Sequence, residues 1–407
     1  MDERALEDIL DGLTAFIQKE VVPRHDELAE SRSHSLYGAD GRYTDDVLRL
    51  MREVREQSAR AGYYAMLGPS ELGGSDLGYE ATYRVWEHIY RVCGGAHWLG
   101  PQAVSHWATG IPYILSHAES AVLEKVLPNL LAGTETSCFA LSEPDAGSDL
   151  WRMRTSATRA EGAWILNGTK QWTTNSPYAD WVVVFAVTDP KKVAAHQGGV
   201  TAFLVPTSDP GFQIDSVLQL FGHSGGLEAI VSFNDVIVED SYVLGGVGDG
   251  LALALGAVST GRIYNSARCV GLADWALSKA IGYAEERESF GHKLIENQAI
   301  SFPLADSYVE VEAARALGVR AAKLLDTGQR AVLDVSAAKV FCTEMAVRVL
   351  DRAIQVHGGM GFTNEVGLVE AWQQARLVCV ADGTAEILRL QIVKHLRRPA
   401  GSTRSNR

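Results

Sequence analysis

The stretch Cys138-Phe139-Ala140-Leu141-Ser142-Glu143-Pro144-Asp145-Ala146-Gly147-Ser148-Asp149 stands where the chain changes from helical to β-rich patterning. An apolar run typical of a strand ends here in a turn of Pro, Gly and short polar residues. Such a turn exposes backbone N–H groups and hydroxyls that can hold the ring edge or the pyrophosphate of a cofactor. An ordinary surface turn has the same composition, so this stretch alone does not decide between the two.

Residues 1–132, which lie before it, predict a helical domain. Apolar residues recur there at helical spacing and form one stripe: Leu6, Ile9, Leu10, Leu13, Phe16 and Ile17. After a polar loop at 31–44, a second stripe follows: Val47, Leu50, Met51 and Val54. Further helices are expected at about 80–93 and 101–132.

Residues 133–248 predict a small all-β domain. Its clearest strands are short β-branched runs: Trp181–Val187, Thr201–Pro206 and Ala229–Val238. Glycines supply the turns between them: Gly211, Gly222 and Gly225-Gly226. Asn167-Gly168 suggests one more hairpin turn.

From 249 to 397 the chain returns to long helices, expected at roughly 250–286, 297–327, 330–356 and 384–397. The predicted fold class is therefore α+β and multi-domain. It has an N-terminal helical domain (1–132), a central β domain (133–248), a C-terminal helical bundle (249–397) and a disordered tail (398–407).

Composition bounds the function. A chain of 407 residues fits two or three domains, and a formal net charge of −13 argues against nucleic acid or anionic membrane as a partner. There is no apolar run long enough for a membrane span and no secretion signal, so we expect a cytoplasmic location. Five scattered cysteines without a CxxC pair, and histidines without metal-ligand spacing, indicate reduced thiols and no metal site.

Several familiar catalytic motifs are absent. The sequence has no GxGxxG, Walker A, HExxH or GxSxG motif. Nucleotide hydrolysis, zinc proteolysis and serine-esterase chemistry are therefore disfavoured.

Four further segments carry candidate functional residues, each with a simpler alternative. In 166–175, Trp172 offers a ring face and the next two threonines offer hydroxyls, although a core Trp would look the same. In 286–292, Arg287 suits phosphate oxygens, although a surface ion pair is the commoner use. Segment 354–362 holds three glycines in four positions, which permit close approach to the backbone or simply end a helix. In 380–386, Asp382 precedes a helix N-terminus that can bind anions, or it only forms the turn.

Taken together, the five segments closely resemble the acyl-CoA dehydrogenase family over nearly the whole chain. The resemblance rests on the runs SEPDAGSD (142–149), FGHKLIENQ (290–298), QVHGGMGF (355–362) and DGTAEILR (382–389). It implies a central β-barrel-like domain and a C-terminal four-helix bundle. It also implies FAD between these two domains and across a subunit interface, in a homotetramer built as a dimer of dimers or in a homodimer.

The resemblance assigns site residues by position. Contacts to FAD are expected from Phe139, Leu141, Ser142, Ser148, Trp172, Thr174, Thr384 and Glu386. A neighbouring subunit is expected to add Arg287, Ser289, Phe290, Asn297, Gln298, Gln355, Val356, His357, Gly358 and Gly359. Ser148, Arg262 and Gly383 are expected at the substrate.

The resemblance also identifies Asp382 as the catalytic base, where the family usually has the longer Glu. Some branches instead carry the base on an earlier helix, just before an Arg that matches Arg262. Gly261 stands there, and residues 251–272 contain neither Asp nor Glu. Asp382 is therefore the sequence's candidate for the base.

The implied reaction is FAD-dependent dehydrogenation of an acyl-CoA, or acyl-carrier-protein, thioester to the trans-2-enoyl product. Asp382 would remove the α-proton, hydride would pass to flavin N5, and an electron-transfer flavoprotein would take the electrons. Because nitroalkane oxidase resembles this family and uses an aspartate base, a flavin oxidase or monooxygenase is the alternative. A non-catalytic flavoprotein is the third. The resemblance further implies space for a branched or bulky acyl group, because the small Ala381 stands where medium-chain members have an aromatic residue.

Overall fold

The computed structural model describes residues 2–30, 36–220, 226–329 and 331–397. It groups the chain into two compact units: one holds Met1–Leu77 and His97–Thr260, and the other holds Gly78–Ala96 and Gly261–Arg407. The expected disordered tail at 398–407 and the turns at Gly222 and Gly225 lie outside the described residues.

The elements follow in chain order. The first helices are α1 (Glu3–Phe16), α2 (Val22–Glu30), α3 (Asp45–Ala61), α4 (Gly78–Cys93) and α5 (Ser120–Leu131). The central segment holds β1 (Ser137–Ala140), β2 (Ser156–Ala160), β3 (Ala163–Thr174), β4 (Trp181–Val187), α6 (Pro190–Ala194), β5 (Val200–Pro206), β6 (Phe212–Val217), β7 (Glu228–Glu239) and β8 (Val243–Leu244). The remaining elements are α7 (Gly250–Glu286), β9 (Glu288–Ser289), β10 (His292–Lys293), α8 (Gln298–Asp326), α9 (Val332–His357), α10 (Leu368–Val378) and α11 (Ala385–Leu396).

The first unit begins with the two amphipathic helices that the sequence predicts. The α1 stripe is buried at Leu6, Leu10, Leu13 and Phe16, and the Asp2 side chain caps the helix. The α3 stripe is buried at Val47, Leu50, Met51 and Val54, and α3 ends at Gly62 with a φ of 83°. Both stripes are confirmed.

The helix expected over 101–132 is wrong for most of its length. Only α5 is an α-helix there, and it is preceded by short 3₁₀ turns at Gly100–Ala103 and Tyr113–His117. Pro112 interrupts the helix there: its backbone is extended, with a ψ of 122°, it has no N–H to donate, and it disfavours helical backbone in the residue before it.

The β elements of the first unit form one mixed sheet. Its strands lie in the order β6-β7-β3-β2-β4-β5-β8, and β1 pairs with β4 in parallel. The predicted strands at 181–187, 201–206 and 229–238 correspond to β4, β5 and β7, so these predictions are confirmed.

Strand β4 is buried on both faces and joins two hydrophobic cores. Because side chains alternate across a strand, Val183 and Phe185 pack into one core while Val182 and Val184 pack into the other. The sheet therefore has apolar packing on both sides.

The hairpin turn expected at Asn167-Gly168 is wrong. These residues lie inside β3, where the register with β7 shifts between Leu166 and Gly168 as in a β-bulge. Gly168 has a φ of 151°, and a Cβ there would lie 2.6 Å from the Cα of Thr155, so the position requires glycine. The β2–β3 hairpin instead turns at Glu161-Gly162.

The second unit is mainly helical, and the sequence did not predict its helix α10 or its short strands β9 and β10. Helix α7 enters this unit at Gly261, and α8, α9 and α11 follow the predicted ranges within two residues. Over the four described ranges, every helix is too short or too polar to cross a membrane.

Candidate active site around Asp382

Asp382 lies in the turn between α10 and α11, in the second unit. Its φ is 54°, and the next residue, Gly383, has a φ of 96°. Few residues other than glycine adopt this left-handed conformation, but Asp tolerates it because its short side chain can hydrogen-bond locally. The predicted Asp-Gly turn is therefore present, and it aims Asp382 toward α7.

Two buried cations fix the backbone of this turn. Arg262 of α7 donates from Nε to the carbonyl of Asp382 at 3.0 Å. Lys339 of α9 donates from Nζ to the carbonyls of Ala381 at 2.9 Å and Gly383 at 2.8 Å. Three successive carbonyls are thus bound, which holds Asp382 in one backbone conformation.

The carboxylate of Asp382 has one bound oxygen and one open oxygen. Asn265, one helical turn after Arg262 on α7, donates from Nδ2 to Oδ2 at 2.7 Å. Within the described ranges, Oδ1 accepts no hydrogen bond, and the backbone N–H groups of Asp382 and Gly383 donate none. One acceptor and two donors therefore remain open at the same turn.

Burial raises the pKa of Asp382 above its ordinary value. Lys339, Arg262 and the hydrogen bond from Asn265 act in the opposite direction but do not cancel the effect of burial. Burial likewise lowers the pKa of Lys339, against the attraction of Asp382. A carboxylate whose pKa is raised by desolvation is a stronger base, which is what removal of a weakly acidic proton requires.

The residues that follow Asp382 lie close to Arg262 or begin α11. Gly383 lies against Arg262, because a Cβ at Gly383 would come within 3.3 Å of Nη2. Thr384 caps α11 by accepting a hydrogen bond from the Ile387 N–H at 3.3 Å, and Glu386 in the first turn is exposed. The structure thus brings together Asp382, Arg262 and Gly383 from the sequence predictions.

The first unit contains the predicted ring-binding residues. Gln171 donates its N–H to the carbonyl of Ser142 at 2.9 Å, which joins the end of β1 to β3. Beside this bond, Trp172 has a φ of 62° and its side chain is 52% exposed. Phe139, Leu141, Ser142 and Thr174 are half-buried, and Ser148 is exposed.

A buried ion pair supports this segment. Lys170 donates to Oε1 of Glu143 at 2.9 Å and to the carbonyl of Leu141 at 3.0 Å. Glu143 also accepts from the backbone N–H groups of Arg154 and Thr155. Burial lowers the pKa of Lys170 to about 8, against the attraction of Glu143. Burial alone would raise the pKa of Glu143, but Lys170 and the N–H donors hold it below its usual range.

The remaining predicted cofactor residues lie in the second unit. Arg287 stands between α7 and β9, and Ser289 and Phe290 belong to the β9–β10 hairpin, where Phe290 has a φ of 52° and is fully exposed. The Asn297 side chain caps α8 by accepting from the Ala299 N–H, and Gln298 is exposed.

The end of α9 presents backbone more than side chains. Gln355 is exposed, but Val356 and His357 are buried, and the His357 ring stacks on Tyr283 at 4.5 Å. Gly358 and Gly359 are open, since a Cβ at either would meet nothing within 4 Å. Any ligand here would therefore be held by Gln355 and the glycine backbone.

Each unit by itself offers groups that fit one part of FAD by their chemistry. An exposed indole face at Trp172 and hydroxyls at Ser142 and Thr174 suit a flat ring with a polar edge. Open glycine backbone and the exposed Arg287 suit phosphate oxygens.

Sequence reasoning missed Asn265 and Lys339. Only an Asp or Glu in 251–272 would indicate an alternative base, and the neutral amide of Asn265 carries no such indication. Lys339 lies within an apolar stretch of α9. A lysine in such a stretch is expected to be buried, and a buried lysine needs hydrogen-bond acceptors, so this pattern could have identified it. Among the described residues, no three His, Cys, Asp or Glu side chains cluster in a way that could hold a metal ion.

Three family profiles match the chain. They are the acyl-CoA dehydrogenase N-terminal domain over residues 3–134, the middle domain over 138–236 and the C-terminal domain over 248–397.

Individual relatives agree with these matches. The mitochondrial short-chain specific acyl-CoA dehydrogenase of Homo sapiens is 36% identical over 83% of this chain and 80% of its own. The caffeyl-CoA reductase–Etf complex subunit CarC of Acetobacterium woodii is 31% identical over 84% of this chain and 88% of its own. The solved structure of butyryl-CoA dehydrogenase from Megasphaera elsdenii superimposes with a TM-score of 0.83 at 27% identity, covering 98% of this chain and 99% of that one. The chain therefore belongs to the acyl-CoA dehydrogenase family of FAD-dependent oxidoreductases.

Proposed function

We propose that the protein converts an acyl thioester, acyl-CoA in the first instance, to the trans-2-enoyl thioester, with Asp382 as the base that removes the α-proton. One observation carries this proposal: the Asp382 carboxylate is desolvated, held at Oδ2 and open at Oδ1. The open oxygen is the one that receives the proton.

The same turn stabilises the charge that develops on the thioester carbonyl as the proton leaves. The N–H of Asp382 has no acceptor among the described residues, so it is available to that carbonyl. An N–H fixed before the reaction is worth more than one that must reorient, and here Arg262 and Lys339 fix it. FAD, when bound, would supply the acceptor for the hydride that leaves the β-carbon.

Asp is one methylene shorter than the usual Glu, and this chain compensates through the backbone. A displacement of about 1 Å can cost roughly a hundredfold in rate, so a short base must be placed accurately. The left-handed φ of Asp382 and the three bound carbonyls supply that placement. Asn265 then fixes the side chain.

We further propose an electron-transfer flavoprotein as the partner that reoxidises the flavin. The name of the A. woodii relative places that protein in a complex with Etf, and this chain shares most of its length with it. An acyl-carrier-protein thioester remains the alternative substrate to acyl-CoA, since both present the same reacting carbons.

We propose that the chain assembles with copies of itself, as a homotetramer or a homodimer, in the cytoplasm. Several large apolar side chains of the second unit are exposed in the single chain: Phe290, Phe302, Val309, Phe362, Leu390 and Leu396. A second copy of the chain is the occupant that would cover them.

Anaerobic mixing of the FAD-loaded protein with a panel of acyl-CoA and acyl-carrier-protein thioesters tests the reaction class. At least one thioester should bleach the visible flavin absorbance and yield the 2-enoyl product. If no thioester does so while a nitroalkane or an amine drives oxygen consumption, the protein is an oxidase and the proposal is wrong.

A further inference from the structure

The side-chain amide of Asn265 is hydrogen-bonded at its nitrogen but not at its oxygen. Nδ2 donates to Asp382 Oδ2 at 2.7 Å, while Oδ1 has no hydrogen-bond partner within the described ranges. The residue is only 3% exposed, so bulk water does not satisfy Oδ1. A buried acceptor without a donor costs stability, and an apolar residue at this position would avoid that cost.

The orientation of this amide is fixed by chemistry. Turning it over would place Oδ1, a pure acceptor, against the Asp382 carboxylate, which is also an acceptor. The hydroxyls of the two residues that flank Asn265 in sequence bond to other groups: Tyr264 to Tyr90 at 2.6 Å, and Ser266 to the carbonyl of Arg262 at 2.7 Å. Oδ1 therefore stays an acceptor without a hydrogen-bond donor among residues 2–30, 36–220, 226–329 and 331–397.

The position of Oδ1 relates it to the substrate. Oδ1 and Nδ2 share one carbon, so Oδ1 lies within roughly 5 Å of Asp382 Oδ2. The α-carbon of a substrate must approach the other oxygen of the same carboxylate. A donor that the acyl chain carries within a few bonds of the α-carbon is therefore within reach of Asn265 Oδ1.

Resting on the proposed function, we propose that Asn265 is a specificity-determining residue that selects an acyl thioester with a hydroxyl group close to its α-carbon. The hydroxyl donates to Oδ1 and completes the amide. A plain alkyl chain leaves Oδ1 without a hydrogen-bond donor. A site that binds a substrate hydroxyl discriminates strongly against an analogue that lacks the hydroxyl, whereas an apolar pocket discriminates only weakly against an analogue with an extra hydroxyl.

The experiment compares hexanoyl-CoA with six-carbon acyl-CoAs that carry one hydroxyl on the fourth, fifth or sixth carbon. Anaerobic flavin reduction gives kcat/KM for the wild type, Asn265→Leu, the smaller Asn265→Ala and the exposed control Asn234→Leu. Titration calorimetry with the matching 2-enoyl-CoA products gives affinities without turnover. We expect the wild type and Asn234→Leu to prefer one hydroxylated chain by about tenfold or more. Both Asn265 variants should lose that preference whatever their absolute rates, so that the ratio of kcat/KM for the hydroxylated chain to kcat/KM for hexanoyl-CoA falls toward one.

Two results would overturn the inference: a wild type that prefers hexanoyl-CoA to all three hydroxylated chains, or Asn265 variants that keep the wild-type ratio. Absence of flavin reduction with every thioester would contradict the proposed function instead. In that event the calorimetric ratio still decides the role of Asn265.

Discussion

The surroundings of Asp382 have opposing effects on its pKa. Burial raises that pKa, while Lys339, Arg262 and the Asn265 amide lower it. A carboxylate must be ionised to act as a base. The rate of flavin reduction should therefore rise with pH as Asp382 ionises, and the midpoint of that rise reports the pKa of Asp382.

Replacing Asn265 with Leu should move the acid limb of flavin reduction to higher pH by roughly one unit. The change removes a hydrogen bond that favours the ionised carboxylate, so the pKa of Asp382 rises further. The measurement is the anaerobic single-turnover rate against pH. The exposed Asn234→Leu should leave the limb in place, and an unmoved limb in Asn265→Leu would show that the amide does not act on the base.

At this scale the sequence predicted the base but not its partners. Asp382 was found because the local run DGTAEILR is distinctive. Asn265 lies 117 positions away and Lys339 lies 42 positions from Ala381, so only the folded helices bring them to the turn. An amide in a helix carries no local sign of such a contact.

At the scale of elements, the turn between α10 and α11 depends on one buried lysine. Lys339 is fully buried and binds two of its carbonyls. Lys339→Met should lower the free energy of unfolding by about 2–4 kcal/mol, because both carbonyls lose their donor. Thermal unfolding of the FAD-bound protein measures this. The exposed Lys323→Met, which breaks only a surface pair with Glu80, should cost less than about 1 kcal/mol, and equal losses would contradict this role of Lys339.

The ion pair beneath the β1–β3 connection should behave as a coupled unit. Lys170→Met leaves the Glu143 carboxylate buried without its cation and should cost about 3–5 kcal/mol. Adding Glu143→Gln should recover part of that loss, because the remaining amide carries no charge. Denaturation of the two single variants and the double variant measures the coupling. Arg159→Met, in an exposed pair with Asp240, is the control. Strictly additive losses would rule out coupling.

Element prediction succeeded where one periodicity ran without interruption. The stripes of α1 and α3 and the apolar run of β4 were predicted from spacing alone. The run at 101–132 failed because Pro112 breaks it, and Asn167-Gly168 failed because a bulge and a hairpin turn both use glycine. Helix α10 is short and follows a glycine-rich segment, so it contains too few apolar repeats for its helical periodicity to be recognised.

At the scale of the whole molecule, the predicted helix–strand–helix order is confirmed by the family matches and by the superposition on butyryl-CoA dehydrogenase. The boundaries at 132 and 248 stay predictions, because the structure groups the chain into two units rather than three. The first unit joins most of the predicted N-terminal domain to the β domain, and helix α4 belongs to the second unit although it lies early in the sequence.

The exposed apolar side chains of the second unit predict self-association. Sedimentation should give a particle heavier than the 44.1 kDa of one chain. Leu390→Asp places a charge on α11, where Leu390 is 66% exposed, and should shift the particle toward smaller species. A monomeric wild type would exclude assembly of copies.

The central claim is that Asp382 removes the substrate proton, and one measurement tests it most directly. Anaerobic single-turnover reduction of the bound FAD is followed in the wild type and in Asp382→Asn, with the thioester that reduces the wild type fastest. The account predicts that Asp382→Asn binds FAD with an unchanged absorbance spectrum but is reduced roughly a thousandfold more slowly. Reduction of Asp382→Asn within about tenfold of the wild-type rate would show that another group takes the proton.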